Sequence, residues 1–156
     1  MNGTTHLIAG VACGLALTRA QGVTDPLMAA AVVVVASGAA LMPDWVQINV
    51  PAMGKTFRGV FGHRGISHWL LTAAAVYFAV AALYPASSAD APLALAALAG
   101  YVSHILLDAF NAPGVPAFWP LPWRLRLASF ESGGWFDGVA RFCAGLLALW
   151  GMVGLI

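Results

Sequence analysis

Five long apolar runs dominate this chain and leave it few environments in which to fold. They fall at roughly residues 6–20, 26–42, 66–84, 92–110 and 136–156. At a rise of about 1.5 Å per residue the fourth run is about 28 Å long, close to the hydrocarbon thickness of a bilayer. The first two are shorter and fit only if their ends reach the interface or the bilayer thins. Composition agrees: 61% of the 156 residues are hydrophobic and 8% are charged, whereas soluble domains are near half apolar and about a quarter charged. A net charge of +1 argues against a nucleic-acid partner, which needs a basic surface to displace counterions. Disorder is excluded because apolar content is far too high. Cys13 and Cys143 sit in apolar runs with no CxxC partner, which suggests neither a disulfide framework nor a thiolate metal site. The expectation is an all-α, polytopic membrane protein, with a single transmembrane domain over residues 1–156 built as a bundle of about five helices.

Helix punctuation supports those boundaries. Asp25-Pro26 and Ala91-Pro92 place proline in a first turn, with Asp25 and Asp90 as caps, and Pro43 and Pro85 follow the second and third runs. The first run has no Lys or Arg ahead of it and reads as retained rather than as a cleaved signal. Within it, Gly10 and Gly14 form a small-xxx-small pair that lets another helix approach closely. With five spans, one side carries Lys55, Arg58, Arg64, Arg124 and Arg126, and the other only Arg19. The positive-inside bias therefore predicts a cytoplasmic membrane protein with its N-terminus and both long loops in the cytoplasm. Those loops interleave Gly and Pro with aromatic and charged residues, so they are expected to fold back against the helices.

In so apolar a chain each ionisable residue near a span needs an explanation, since one at mid-bilayer costs about 3 kcal/mol or more unless paired or hydrated. His6 opens the first helix, Asp44 closes the second, and His63 and His68 bracket the start of the third. His104 and Asp108 occupy the last turns of the fourth, four residues apart and so on one face. All fall at the same membrane face of a topology drawn from Lys and Arg alone. Imidazole and carboxylate drawn from several helices to one depth are what a metal site in a bundle requires. Donors of this kind suit Zn²⁺, Mn²⁺ or Fe²⁺. Arg64, Arg124 and Arg126 read either as topological charges or as recognition of an anionic group, Arg64 foremost. Asp137 and Arg141, four apart, are expected to neutralise each other. Glu131 reads as a solvated loop acid, or as a ligand or general base.

The elements Thr5-His6, Leu41-Met42-Pro43-Asp44, His63-Arg64-Gly65-Ile66-Ser67-His68, Gly100-Tyr101-Val102-Ser103-His104 with Asp108, and Gly114-Val115-Pro116 stand in a fixed order. In this the chain resembles the YdjM-like inner-membrane family, regarded as membrane-bound metal-dependent hydrolases. Members typically show Leu-Pro-Asp-x-Asp and His-Arg-Gly-x-Thr-His. Here the second aspartate of the first element is replaced by Val46, and the threonine of the second by Ser67, which keeps the hydroxyl. The resemblance implies metal ligands at His6, Asp44, His63, His68, His104 and Asp108.

The expected function is a metal-dependent hydrolase at the cytoplasmic face, holding one or two divalent transition-metal ions, zinc first and manganese or iron next. Its partners would be membrane lipids, with a phosphoester or other ester of a lipid or amphiphile as substrate. Arg64 would hold a phosphoryl oxygen, and Ser67 and Asn111 would contact ligands or substrate. The alternatives are a metal-ion transporter or sensor, and a structural membrane protein stapled by metal. A transporter concentrates polar residues near the midplane, whereas residues 32–35, 73–82 and 93–99 carry no ionisable group.

Overall fold

The computed structural model describes residues 1–45, 65–84, 91–118, 121 and 123–153. Five α-helices follow in chain order: α1 (Gly3–Ala20), α2 (Pro26–Trp45), α3 (Leu70–Leu83), α4 (Ala91–Ala109) and α5 (Trp135–Met152), with a 3-10 turn at Ile66–His68 just before α3. Among the described residues there is no strand, only isolated bridges pairing Asn111 with Phe130 and Val115 with Leu125. Helices α2 and α4 are each long and apolar enough to cross a membrane. Helix α3, with 14 residues, extends about 21 Å and falls short of a hydrocarbon core. Against the five spans expected, the described residues form five helices, of which two meet that criterion.

The starts of α1 and α2 are capped as their sequences dictate. The Asn2 side chain accepts from the Thr4 amide at 3.2 Å, and the Asp25 carboxylate accepts from the Met28 amide at 2.7 Å; both satisfy orphan first-turn donors. Two expected boundaries need correction. Pro43 does not follow α2 but lies inside it, and the helix runs on to Trp45. Proline lacks the N–H that would bond the Ala39 carbonyl four residues back, so the helix forgoes that bond and ends two residues later. The third run is not one helix from Ile66. Trp69 is extended (φ −84°, ψ 146°), which separates the 3-10 turn from α3. The break is held by the Thr72 hydroxyl donating to the Ile66 carbonyl at 2.6 Å and by the Leu70 amide donating to the Ala117 carbonyl at 3.1 Å. His68 therefore does not share a helix face with Thr72; the turn aims it separately.

Helix α1 packs against α2, α4 and α5, while α4 also contacts α2 and α3. The interior is built from small residues. Val32, Ala36, Leu93 and Ala96 form one core, and Ala39, Ala73, Ala97, Tyr101, Ile105, Ala109, Val115 and Ala117 form the other. Large apolar side chains such as Leu27, Val34, Leu71, Phe78, Phe142 and Leu149 point outward. In water that inversion would be an aggregation hazard; between lipid tails, small residues inside let backbones meet and large ones outside face hydrocarbon. Gly10 and Gly14 meet α2 at Ala36–Ser37, Ala40 and Val33, as the small-xxx-small reading expects, and Gly100 on α4 meets the Ala36 carbonyl from the other side. At its far end α1 holds α5 through Arg19, whose guanidinium donates to the Trp150 carbonyl at 2.5 Å and lies 4.4 Å from the Trp150 ring centre.

The described part of the last long loop folds back as expected. Val115 and Leu125 exchange both backbone bonds, at 3.0 and 2.8 Å, and the Leu127 amide reaches the end of α4 at Ala109. Gly114 turns this loop at φ +61°, and a side chain there would collide with the Leu125 carbonyl. Arg124 donates to the Pro113 and Gly114 carbonyls and Arg126 to that of Ala112. Through these bonds the two arginines brace the loop.

Candidate metal centre

Four separate elements deliver donor side chains to one end of the bundle. Helix α1 supplies His6 one turn in from its cap. Helix α2 supplies Asp44 from its final turn, the 3-10 turn supplies His68, and α4 supplies the i, i+4 pair His104 and Asp108. The three imidazoles are fully buried, Asp108 is 1% exposed, and the Asp44 side chain is 28% exposed, so Asp44 lies on the route to the surface. Ligand atoms of His6, His104 and Asp108 lie within 4.8 Å of one another, and so do those of Asp44, His68 and His104.

The individual contacts fix how the rings are oriented. His104 Nδ1 donates to the Ala40 carbonyl at 2.7 Å. A carbonyl only accepts, so the proton is on Nδ1 and the Nε2 lone pair faces the cluster. His68 Nδ1 lies 3.0 Å from the Ser67 hydroxyl, and its Nε2 lies 3.2 Å from His104 Nε2. Ring nitrogens held from behind by a carbonyl and a hydroxyl, with their other nitrogens converging, are the usual arrangement around a metal. Asp44 Oδ1 is 3.8 Å from His68 Nε2 and 3.6 Å from His104 Nε2, and Asp108 Oδ2 is 3.7 and 4.0 Å from the same atoms. Donors around a tetrahedral ion with bonds of about 2.0–2.1 Å are about 3.3 Å apart, so modest contraction closes this set.

Asp108 Oδ1 faces the other way. It lies 3.3 Å from His6 Nε2, accepts from Asn111 Nδ2 at 2.9 Å, and contacts the Met1 ammonium. His6 Nδ1 and the Asn111 side-chain oxygen are buried without a hydrogen-bond partner among the described residues. Leaving such groups unsatisfied costs about 1–3 kcal/mol each, a cost a bound cation removes. The donor chemistry and these orphaned atoms together fit a metal ion.

Of the expected ligands, then, His6, Asp44, His68, His104 and Asp108 come together; His63 and Arg64 lie outside the described residues. The Ser67 hydroxyl lies beside His68 Nδ1, and the Asn111 amide donates to Asp108 Oδ1. Glu131 lies on the exposed turn before α5, where its carbonyl accepts from the Gly134 amide, and it is in neither donor group. The expected Asp137–Arg141 ion pair is replaced by something else. The buried Asp137 carboxylate accepts from the Thr5 hydroxyl at 3.2 Å and from the Gly133 amide, while Arg141 Nε donates to the Asp137 backbone carbonyl at 3.1 Å. A buried acid takes the donors that arrive with its neighbours on α1, so Asp137 locks α1 beside His6 to the start of α5.

Sequence reasoning missed Thr5 in that role, the Ala40 carbonyl, and Tyr101, whose hydroxyl donates to the Ser67 carbonyl at 2.6 Å and so fixes the turn carrying His68. A buried threonine beside a histidine, and a tyrosine on the apolar face of α4, were signals available for two of them. A backbone carbonyl leaves none.

A family model described as YdjM inner membrane protein matches residues 1–155. YvsG of Bacillus subtilis (strain 168) is 32% identical over 145 residues, covering 88% of this chain and 84% of the relative. The inner membrane protein YdjM of Escherichia coli (strain K12), and its Shigella flexneri counterpart, are each 32% identical over 143 residues, covering 81% of this chain and 69% of theirs. No solved structure matches. With the match running along nearly its whole length, the chain belongs to the YdjM inner membrane protein family.

Proposed function

We propose that this protein is a metal-dependent hydrolase of the cytoplasmic membrane that cleaves a phosphoester or other ester of a lipid or amphiphile at the cytoplasmic face. The observation that carries the reading is the meeting of His6, His68, His104, Asp44 and Asp108 at one end of an otherwise apolar bundle. Such a cluster is expensive to bury and has no evident packing role. When bound, a divalent transition-metal ion supplies Lewis acidity and a more acidic water; zinc suits the nitrogen and oxygen donors best, with manganese or iron next. The protein's own part is orientation. The Ala40 carbonyl and the Ser67 hydroxyl fix the two converging imidazoles, Tyr101 fixes the turn behind His68, and the partly exposed Asp44 marks the entry. In this reading residues 1–156 form one five-span domain with a cytoplasmic N-terminus, supported by the positive-inside bias. A site at headgroup depth then meets its substrate in the plane of the membrane.

The test is turnover by purified, metal-loaded protein in lipid nanodiscs against a panel of phosphoesters, lipid esters and amides. Hydrolysis by the wild type, lost on chelation and in Asp44→Asn, is the expected outcome. Absence of turnover across the panel by protein holding its metal refutes the proposal.

A further inference from the structure

We propose that the cluster is a two-ion site of unequal affinity bridged by Asp108, with a tight ion held by His68, His104, Asp44 and Asp108 Oδ2 and an exchangeable ion held by His6, Asp108 Oδ1 and Asn111. The inference rests on the reading of this cluster as a metal centre, and it assigns the donors to separate ions.

His104 is the residue common to both donor groups, yet it can serve only one ion, because its Nδ1 proton is committed to the Ala40 carbonyl. Ring geometry decides which. His6 and His104 are stacked, with centroids 3.8 Å apart and planes inclined by 19°. An imidazole binds a metal along a lone pair lying in the plane of its ring, at about 2.0–2.1 Å. An ion midway between two nearly parallel rings would lie far out of both planes, so His6 and His104 do not share one. His68 and His104 meet edge to face at 68°, with their Nε2 atoms 3.2 Å apart, and can converge on a common ion.

The two oxygens of Asp108 divide along the same line. Oδ2 is the atom near His68 and His104, and Oδ1 is the atom near His6 and Asn111. A carboxylate facing two donor sets with its two oxygens is the standard bridge between ions about 3.5–4 Å apart. On the Oδ1 side His6 Nε2 lies 3.3 Å away and supplies one nitrogen, and the Asn111 amide, whose NH2 now donates to Oδ1, supplies its unpartnered oxygen once the amide turns over. Two imidazoles and two carboxylate oxygens on the first ion, against one imidazole, one carboxylate oxygen and one neutral amide oxygen on the second, set the order of affinity.

The experiment is metal content of the full-length protein in detergent, loaded with Mn²⁺ and dialysed against rising chelator, with electron paramagnetic resonance of the same samples. The wild type should hold two ions, lose them in two separate steps, and show a spin-coupled manganese pair. His6→Ala should hold one ion, as tightly as the tighter ion of the wild type, with the spectrum of isolated manganese. Asn111→Asp, which nearly preserves shape, should retain the weaker ion to at least about tenfold higher chelator, through its added charge. A wild type that holds a single ion, or Asn111→Asp that leaves the weaker step unmoved, overturns the assignment. So does loss of both ions together from folded His6→Ala. Ion count is read without substrate. A two-ion protein with no turnover therefore refutes only the hydrolase reading, and a one-ion protein that hydrolyses refutes only this one.

Discussion

Replacing Gly10 by alanine probes how closely the site depends on helix packing. A methyl group at that position would lie 2.8 Å from Ala40 Cβ, 2.8 Å from Ser37 Cα and 3.0 Å from the Ala36 carbonyl oxygen. Carbon atoms settle about 3.5–4.0 Å apart, so the shortfall is about 0.7–1.2 Å, and no rotamer relieves contacts with backbone and Cβ atoms. Helix α1 must therefore move off α2 by about 1 Å. Overpacking of this kind costs about 1–3 kcal/mol, and alanine's advantage over glycine in a helix returns about 0.5–1 kcal/mol. The net expectation is a loss of about 0–2.5 kcal/mol. The effect on the site should be larger than the effect on stability. His6 is one turn from Gly10, and ligands need placement within about 0.5 Å. Metal affinity on the His6 side should fall about 10–100-fold, the range seen when the supports of a ligand are disturbed. Thermal unfolding in detergent reads the first quantity and chelator competition the second. Gly38→Ala and Gly145→Ala are the controls: an added Cβ meets nothing within 4 Å at either site, so both should gain about 0.5–1 kcal/mol. Gly10→Ala matching these controls in stability, with undiminished metal affinity, would refute the reasoning.

Two further substitutions test the supports of the site. Asp137→Ala leaves the buried Thr5 hydroxyl and the Gly133 amide without their acceptor and should cost about 1–3 kcal/mol for each donor left unsatisfied. Arg141→Ala should be near neutral in the same unfolding measurement, because among the described residues the Arg141 guanidinium bonds the Asp137 backbone carbonyl and not its carboxylate; equal losses in the two variants would restore the ion pair that the geometry replaces. Tyr101→Phe removes the bond to the Ser67 carbonyl and should cost about 1 kcal/mol. Chelator competition should also show weaker metal binding on the His68 side, and unchanged binding would remove Tyr101 from the support of that turn.

Much of this was legible in the chain alone. Helix number, the close approach at Gly10 and Gly14, and the Asp25 cap follow from local rules: apolar length, glycine spacing and proline chemistry act within a few residues. The donors at His6, Asp44, His68, His104 and Asp108 could be singled out because an ionisable group in an apolar chain is costly wherever the chain goes. Other features depend on which strangers meet. The break at Trp69 is stabilised by a bond from Leu70 to the remote Ala117, and no pattern within 66–84 announces it. Asp137 turned to Thr5 on α1 because helix packing brought that hydroxyl closer than the charge four residues along. His104 owes its tautomer to a backbone carbonyl on α2, and Asp108 faces His6 with one oxygen and His68 with the other. The sequence by itself determined which residues are too polar for their surroundings. Only the tertiary structure decided which atoms of those residues face one another, because hydrogen bonding and metal ligation are directional over a few ångströms, while the hydrophobic patterning that a sequence displays is not.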